Sequence, residues 1–196
     1  MKQWLYVLGV SLFFQVNCAC AWNATGHQLI AQIAYNHLNH HARKVFNHYN
    51  HALDKVYRPQ SFVRASVWLD ELRFQEFNWF NQYHFVAGYF SYDKIPLPPE
   101  PTHNAVYAIN NAVRVLKNSK ANLFHKGIAL RILLHVAGDV HQPLHTATQV
   151  SSRFPAGDLG GNLLPLGANF VAKNLHSYWD KGAGGLVFNR NNIANQ

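Results

Sequence analysis

Apolar residues recur along the chain at three- and four-residue intervals, the period of a helix with one buried face. Leu29, Ile30, Ile33, Ala34 and Leu38 follow this spacing and predict a helix from His27 to about Tyr49, with Thr25 as its cap. His37, His40, His41, His48 and His51 fall on or near its polar side and read as a solvated face. A second helix is predicted from Arg64 to Phe77. A third, from Thr102 to Asn118, carries the stripe Ala105, Ile109, Ala112, Val113 and Leu116. Ala121 to Val140 is the most hydrophobic of these segments and predicts the central helix, which Pro143 ends. A last short helix is expected from Ala172 to Asp180.

The segments between these helices read as loops. Tyr92 to Pro101 holds four prolines, and Ser151 to Gly167 is rich in glycine. No convincing pair of strands and no internal repeat is present. The predicted class is all-α, a compact single-domain helical bundle. Its 196 residues suffice for one domain with a sizeable core.

The first 21 residues change that picture at one end. Lys2 gives a short positive start, and Trp4 to Val16 is mostly apolar. Ala19-Cys20-Ala21 then offers small residues where a signal peptidase reads them. Residues 1–21 are therefore expected to be a signal peptide, with 22–196 as the mature domain, secreted or periplasmic. An uncleaved anchor is the competing reading, but the apolar run is short for a membrane span. A lipoprotein site at Cys18 or Cys20 fits its flanking residues poorly.

Cleavage after Ala21 removes both cysteines and leaves a chain that starts at Trp22 with no sulfur cross-link. Bound metal is another source of rigidity for an exported protein. Without Lys2 the chain carries 16 basic and 9 acidic residues, a net charge of +7 that favours polyanionic partners.

The 13 histidines and the few acids carry the chemistry. Residues four apart on a helix share a face, so a His/Asp pair at that spacing is half of a metal site. His135 and Asp139 form one pair in HVAGDVHQPLH, and His176 and Asp180 form another in NLHSYWD. His145 follows Asp139 by six residues. Asp139 and Asp180 lie among apolar neighbours, where an unpaired carboxylate is costly and a bound cation removes that cost. Zinc takes such nitrogen and oxygen ligands. No Ser/His/Asp arrangement competes with this site.

These segments resemble those of the zinc-dependent single-strand-specific nucleases, the mung-bean-type family, whose superfamily includes the bacterial zinc phospholipases C. WNATGH at 22–27, SVWLDELR at 66–73, YHFV at 83–86 and GDLGGN at 157–162 join HVAGDVHQPLH and NLHSYWD as six motifs in the family's order. The resemblance spans nearly the whole mature chain and implies a bundle built around a trinuclear zinc site.

It implies that Asp70, His84, His135 and a bridging Asp139 hold one zinc. Trp22, through its free amine and carbonyl oxygen, holds a second with His27 and Asp139. His145, His176 and Asp180 hold the third. The implied reaction is phosphodiester hydrolysis in single-stranded DNA and RNA by a zinc-bridging hydroxide, with 3′-nucleotidase activity as a further possibility.

Arg73, three residues after Asp70, is expected to contact the phosphate, its guanidinium fork suiting that task. Its alternative is an ion pair with Glu71 or Glu76. Phe85 is implied as a stacking platform for a base, and Asn162 as a pocket residue. The fungal members place an aspartate two residues after that phenylalanine; here it is Ala87, so the resemblance carries no base preference. The 16 residues after Asp180 are fewer than relatives have, and a C-terminally shortened domain is expected. A monomer without stable membrane association is the expected state. A zinc phospholipase C and an inactive zinc-binding remnant are the alternative functions.

Overall fold

The computed structural model describes residues 22–73 and 78–187. Helices dominate it: α1 Ala24–His37, α2 His40–His51, α3 Trp68–Arg73, α4 Ala105–Lys117, α5 Leu123–Asp139 and α6 Leu175–Asp180. Short 3₁₀ segments at Arg64–Val67, Asn78–His84, Pro143–His145 and Gly182–Gly184 accompany them. The all-α class is as predicted. Among the described residues no helix is long and apolar enough to cross a membrane. The expected signal segment lies outside the described residues.

The first predicted helix is two helices. Asn39 sits in an extended conformation and accepts a hydrogen bond from the Ala42 N–H, so it caps α2 and breaks the run. Asn23, not Thr25, caps α1, by accepting from the Gly26 N–H. The same device recurs at Asn104, Asn122 and Asn174, which cap α4, α5 and α6.

The second predicted helix begins as the 3₁₀ turn Arg64–Val67 before α3, and its expected end at Phe77 lies outside the described residues. The last helix starts at Leu175 rather than Ala172. Residues ahead of it are extended, with Leu166 N–H bonded to Lys173 O and Leu175 N–H to Leu164 O. One short strand pair was not predicted: β1 Tyr89–Phe90 runs parallel to β2 Thr148–Gln149. Two residues on each side are too few to leave an alternating pattern.

The core forms where α4 and α5, joined by a short loop, pack on α3 and the flanking 3₁₀ turns. Trp68, Leu69, Leu72, Phe80, Ala105, Ala108, Ala112, Ala129, Ile132 and Val136 fill it. The alanines of α4 let the α5 backbone approach closely. Arg131, fully buried at mid-α5, donates to Asn50 Oδ1 at 2.9 Å and lies over the Trp68 ring. The stripe predicted for α1 behaves differently: Leu29 is 42% and Ile33 53% exposed, while Gly26, His27 and Ala31 are buried. The histidines of the polar side are exposed as expected.

Candidate metal centre

The C-terminal half of α5 leaves the apolar core and becomes polar while staying buried. His135 and Asp139 are both 0% exposed. Their i,i+4 spacing sets His135 Nε2 3.3 Å from Asp139 Oδ2. Three other elements bring partners to them. The N-terminal turn of α1 brings His27, whose ring stacks on His135 at 4.0 Å and whose Nε2 lies 3.3 Å from Asp139 Oδ1. Helix α3 supplies Asp70, with Oδ1 3.6 Å from His135 Nε2. The 3₁₀ turn Asn78–His84 supplies His84, whose Nδ1 is 3.1 Å from Asp139 Oδ2 and 3.8 Å from Asp70 Oδ1.

A second cluster is built by the 3₁₀ turn Pro143–His145 and α6. His145 Nε2 and His176 Nε2 are 2.9 Å apart, and Asp180 Oδ1 is 3.6 Å from His176 Nε2. The described residues thus form three groups able to hold a metal ion: His27, His135 and Asp139; Asp70, His84 and His135; and His145, His176 and Asp180. Two nitrogen ligands at the usual zinc distance and tetrahedral angle stand about 3.3–3.4 Å apart. The spacings in these groups bracket that value.

The donor atoms themselves test whether a cation fits. His135 Nδ1 bonds Ser66 O at 2.7 Å, His145 Nδ1 bonds His84 O at 2.6 Å, and His176 Nδ1 bonds Gly160 O at 2.7 Å. A carbonyl only accepts, so each Nδ1 carries the proton, and in a neutral ring each Nε2 carries a bare lone pair. His145 and His176 then aim two lone pairs at each other across 2.9 Å. A shared cation turns that repulsion into coordination, and the carbonyls are the outer-shell partners that metal-bound histidines use. His27 Nε2, Asp70 Oδ1 and Asp139 Oδ1 are buried without a hydrogen-bond partner among the described residues.

Without a cation the charges are poorly settled. Burial, helped by His135, pushes the His27 imidazole down to about 3. Burial and His145 push His176 down to about 4. The Asp180 carboxyl is raised to about 8 by burial, against the opposing hydrogen bond from Gln142. Burial also pulls on His135, but the Asp139 and Asp70 carboxylates outweigh it and raise that ring to about 9.

The remaining predicted residues lie around these groups. Arg73 Nη1 stands 3.7 Å from Asp70 Oδ1 in a nearly buried position. Its alternative partner Glu71 is taken by Arg64 and Gln60, and Glu76 lies outside the described residues. Trp22 packs against Gly26, and the next residue, Asn23, donates its N–H to Asp180 O at 2.8 Å. The chain at residues 22–23 therefore runs beside the third group. Phe85, half-buried, follows His84, and its carbonyl accepts from the Ala105 N–H. Ala87 is buried and offers no polar atom beyond its backbone. Asn162 folds onto its own loop, donating to Leu159 O at 2.9 Å.

Sequence reasoning missed three supporting positions. Gln142 is fully buried and donates to Asp180 Oδ1 at 2.7 Å, fixing that carboxylate. Its signal was visible: an amide two residues past the most apolar segment, directly before Pro143. Ser66 and Gly160 act through their carbonyls, which residue type does not reveal. Gly160 sits at φ +60, and a Cβ there would meet Leu144 O at 2.1 Å, so only glycine can turn its carbonyl to His176.

A family model described as S1/P1 Nuclease matches residues 22–192. Endonuclease 3 of Arabidopsis thaliana is 24% identical over 189 residues, covering 90% of this chain and 59% of the relative. Endonuclease 5 of the same plant is 36% identical over 78 residues, 39% of this chain and 24% of the relative. Nuclease P1 of Penicillium citrinum is 26% identical over 170 residues, 81% of this chain and 57% of that protein. The chain spans at most about three-fifths of the length of these curated relatives.

Proposed function

The chain belongs to the S1/P1 nuclease family, and on that premise we propose that it is an exported, zinc-dependent endonuclease hydrolysing phosphodiester bonds of single-stranded DNA and RNA. 3′-Nucleotidase activity is part of the same reading. The observation that carries it is the set of three buried His/Asp groups, with bare imidazole nitrogens facing one another and two carboxylate oxygens without a hydrogen bond among the described residues.

Three zinc ions fit these donors. Asp70, His84, His135 and Asp139 would hold one; His27 and Asp139, with the Trp22 amine and carbonyl, a second; His145, His176 and Asp180 the third. Removal of residues 1–21 as a signal peptide would free the Trp22 amine, and the Asn23 to Asp180 hydrogen bond keeps that end beside α6. Bound there, zinc would supply Lewis-acid stabilisation of phosphate oxygens and activation of water.

The chain's own residues do the rest. Asp139 joins the first two groups, and Asp70 holds both the His84–His135 pair and Arg73. Arg73 would present its fork to the phosphate and offset charge developing in the transition state. Phe85, beside His84, would stack on an unpaired base, which is how a site prefers single strands. Gln142 and Gly160 keep Asp180 and His176 oriented for the third group. The protein is read as a monomer.

The test is to give zinc-loaded protein starting at Trp22 single-stranded DNA, RNA and phosphatidylcholine side by side, with a chelated control. Cleavage of both nucleic acids, lost on chelation and restored by zinc, is the expected result. Release of phosphocholine with the nucleic acids intact overturns it. So does a folded protein with three zincs that hydrolyses no phosphoester.

A further inference from the structure

A cavity of about 660 Å³ opens between α1, α2 and the 59–64 segment, apart from the three metal groups. That volume lies within the roughly 300–1,000 Å³ of small-molecule sites. Its lining mixes polar and apolar side chains and carries no spare cation. Arg64 is paired with Glu71, and His51 Nδ1 lies 2.8 Å from Asp54 Oδ2. A phosphate would find Arg64 and His51 Nδ1 already committed.

The groups left over include a buried acceptor with no partner among the described residues. Gln60 Nε2 donates to Glu71 at 2.7 Å, which leaves Gln60 Oε1 buried with no partner among the described residues. The Gln28 amide has no hydrogen bond to another described residue and adds an acceptor and a donor. The Tyr35 and Phe62 rings, 5.0 Å apart, supply an apolar wall.

Flat aromatic surface beside unsatisfied acceptors suits a base that bears an exocyclic amine. Cytosine and adenine present such amines, and uracil and thymine present a carbonyl in that place. The elements that build the cavity also build the metal centre. Gln28 follows His27 on α1, and the 59–64 segment leads to Ser66, whose carbonyl holds His135. We propose that this cavity is a nucleobase pocket that selects bases with an exocyclic amine, taken from a bound strand or from a released nucleoside. This rests on the nuclease reading and adds a second point of base recognition to it.

The test uses cytidine and uridine, which contain no phosphodiester and cannot be cleaved. Each is titrated into zinc-loaded protein by calorimetry. Cytidine is expected to bind at least about tenfold tighter than uridine, the worth of one hydrogen bond plus the cost of an unpaired acceptor. Gln60→Leu and the half-exposed Gln28→Leu should each erase that preference. Dinucleotide hydrolysis by both variants should stay within about twofold of the unsubstituted protein, since neither residue touches the metal groups.

A cytosine-over-uracil preference in the KM of longer oligonucleotides points to a base of the strand, and its absence there to the free nucleoside; both keep the pocket. Equal binding of the two nucleosides, no binding of either, or a preference that survives both substitutions overturns it. Failure of the nuclease reading shows separately, as absence of dinucleotide hydrolysis in a protein that still discriminates cytidine from uridine.

Discussion

His27 sits where one extra carbon would disturb it. Gly138 lies one residue before Asp139, and a Cβ there would stand 2.9 Å from His27 Nδ1. Gly138→Ala improves helix propensity by about 1 kcal/mol while pushing that ring from its place. The chelated variant is therefore expected to melt no lower than chelated unsubstituted protein, yet to bind zinc about tenfold or more weakly. Calorimetry with and without chelator reads both; unchanged zinc affinity would refute the role given to His27. Arg73 makes a second case. Arg73→Lys keeps the charge but loses the fork, and kcat/KM on single-stranded DNA should fall on the order of 100-fold with zinc content unchanged. Equal rates would remove Arg73 from the phosphate site. Legibility at this scale was uneven. His135 with Asp139 and His176 with Asp180 follow from spacing alone, because a helix turns four residues into one face. His27, Asp70 and His84 come from elements distant in sequence, and only the resemblance to a family grouped them. The carbonyls of Ser66 and Gly160 leave no trace in residue type.

Among the elements, α6 is a six-residue helix that holds two ligands, His176 and Asp180. So short a helix has little stability of its own and depends on its cap. Asn174 accepts from the Ser177 N–H at 2.8 Å. Asn174→Ala is expected to cost about 1 kcal/mol of stability. Its more specific effect falls on the third group: one zinc of three should become removable by a weak chelator that leaves the others bound. Metal analysis after graded chelation measures this, and loss of all three together would show that α6 does not act alone. Asparagine caps also explain where helix prediction failed. Periodicity located α4 and α5 to within about three residues, because long buried stripes fix their phase. It ran α1 and α2 together, because the polar residues at Asn39 and His40 fit a solvated face as well as a boundary. The 3₁₀ turn ahead of α3 shares enough of the helical pattern to read as one run with it. The Tyr89–Phe90 pairing with Thr148–Gln149 was too short for any alternation to be read.

Across the whole molecule, the proposed metal groups take the place that a disulfide holds in many exported proteins. Both cysteines of the chain, Cys18 and Cys20, precede Trp22 and are absent from a protein that starts there. The groups tie together α1, α3, the 3₁₀ turn ending at His84, α5 and α6, elements spread from residue 27 to residue 180. They also bury eight imidazole and carboxylate side chains, six of them at 2% exposure or less and the others, Asp70 and Asp180, at 8% and 7%. Removing the cations leaves those groups facing one another with little to offset their desolvation. A ligand present at 1,000 times its dissociation constant adds about 4 kcal/mol of stability. In a domain of this size each kcal/mol moves the melting temperature by about 2–4 °C. Chelation is therefore expected to lower Tm by about 10 °C or more, with recovery when zinc is returned, whereas a thiol reductant should leave it unchanged. Calorimetric scans of one preparation under the three conditions decide this. Superimposable scans with and without chelator would mean that the buried groups are satisfied within the protein, and that metal is not what holds these elements together.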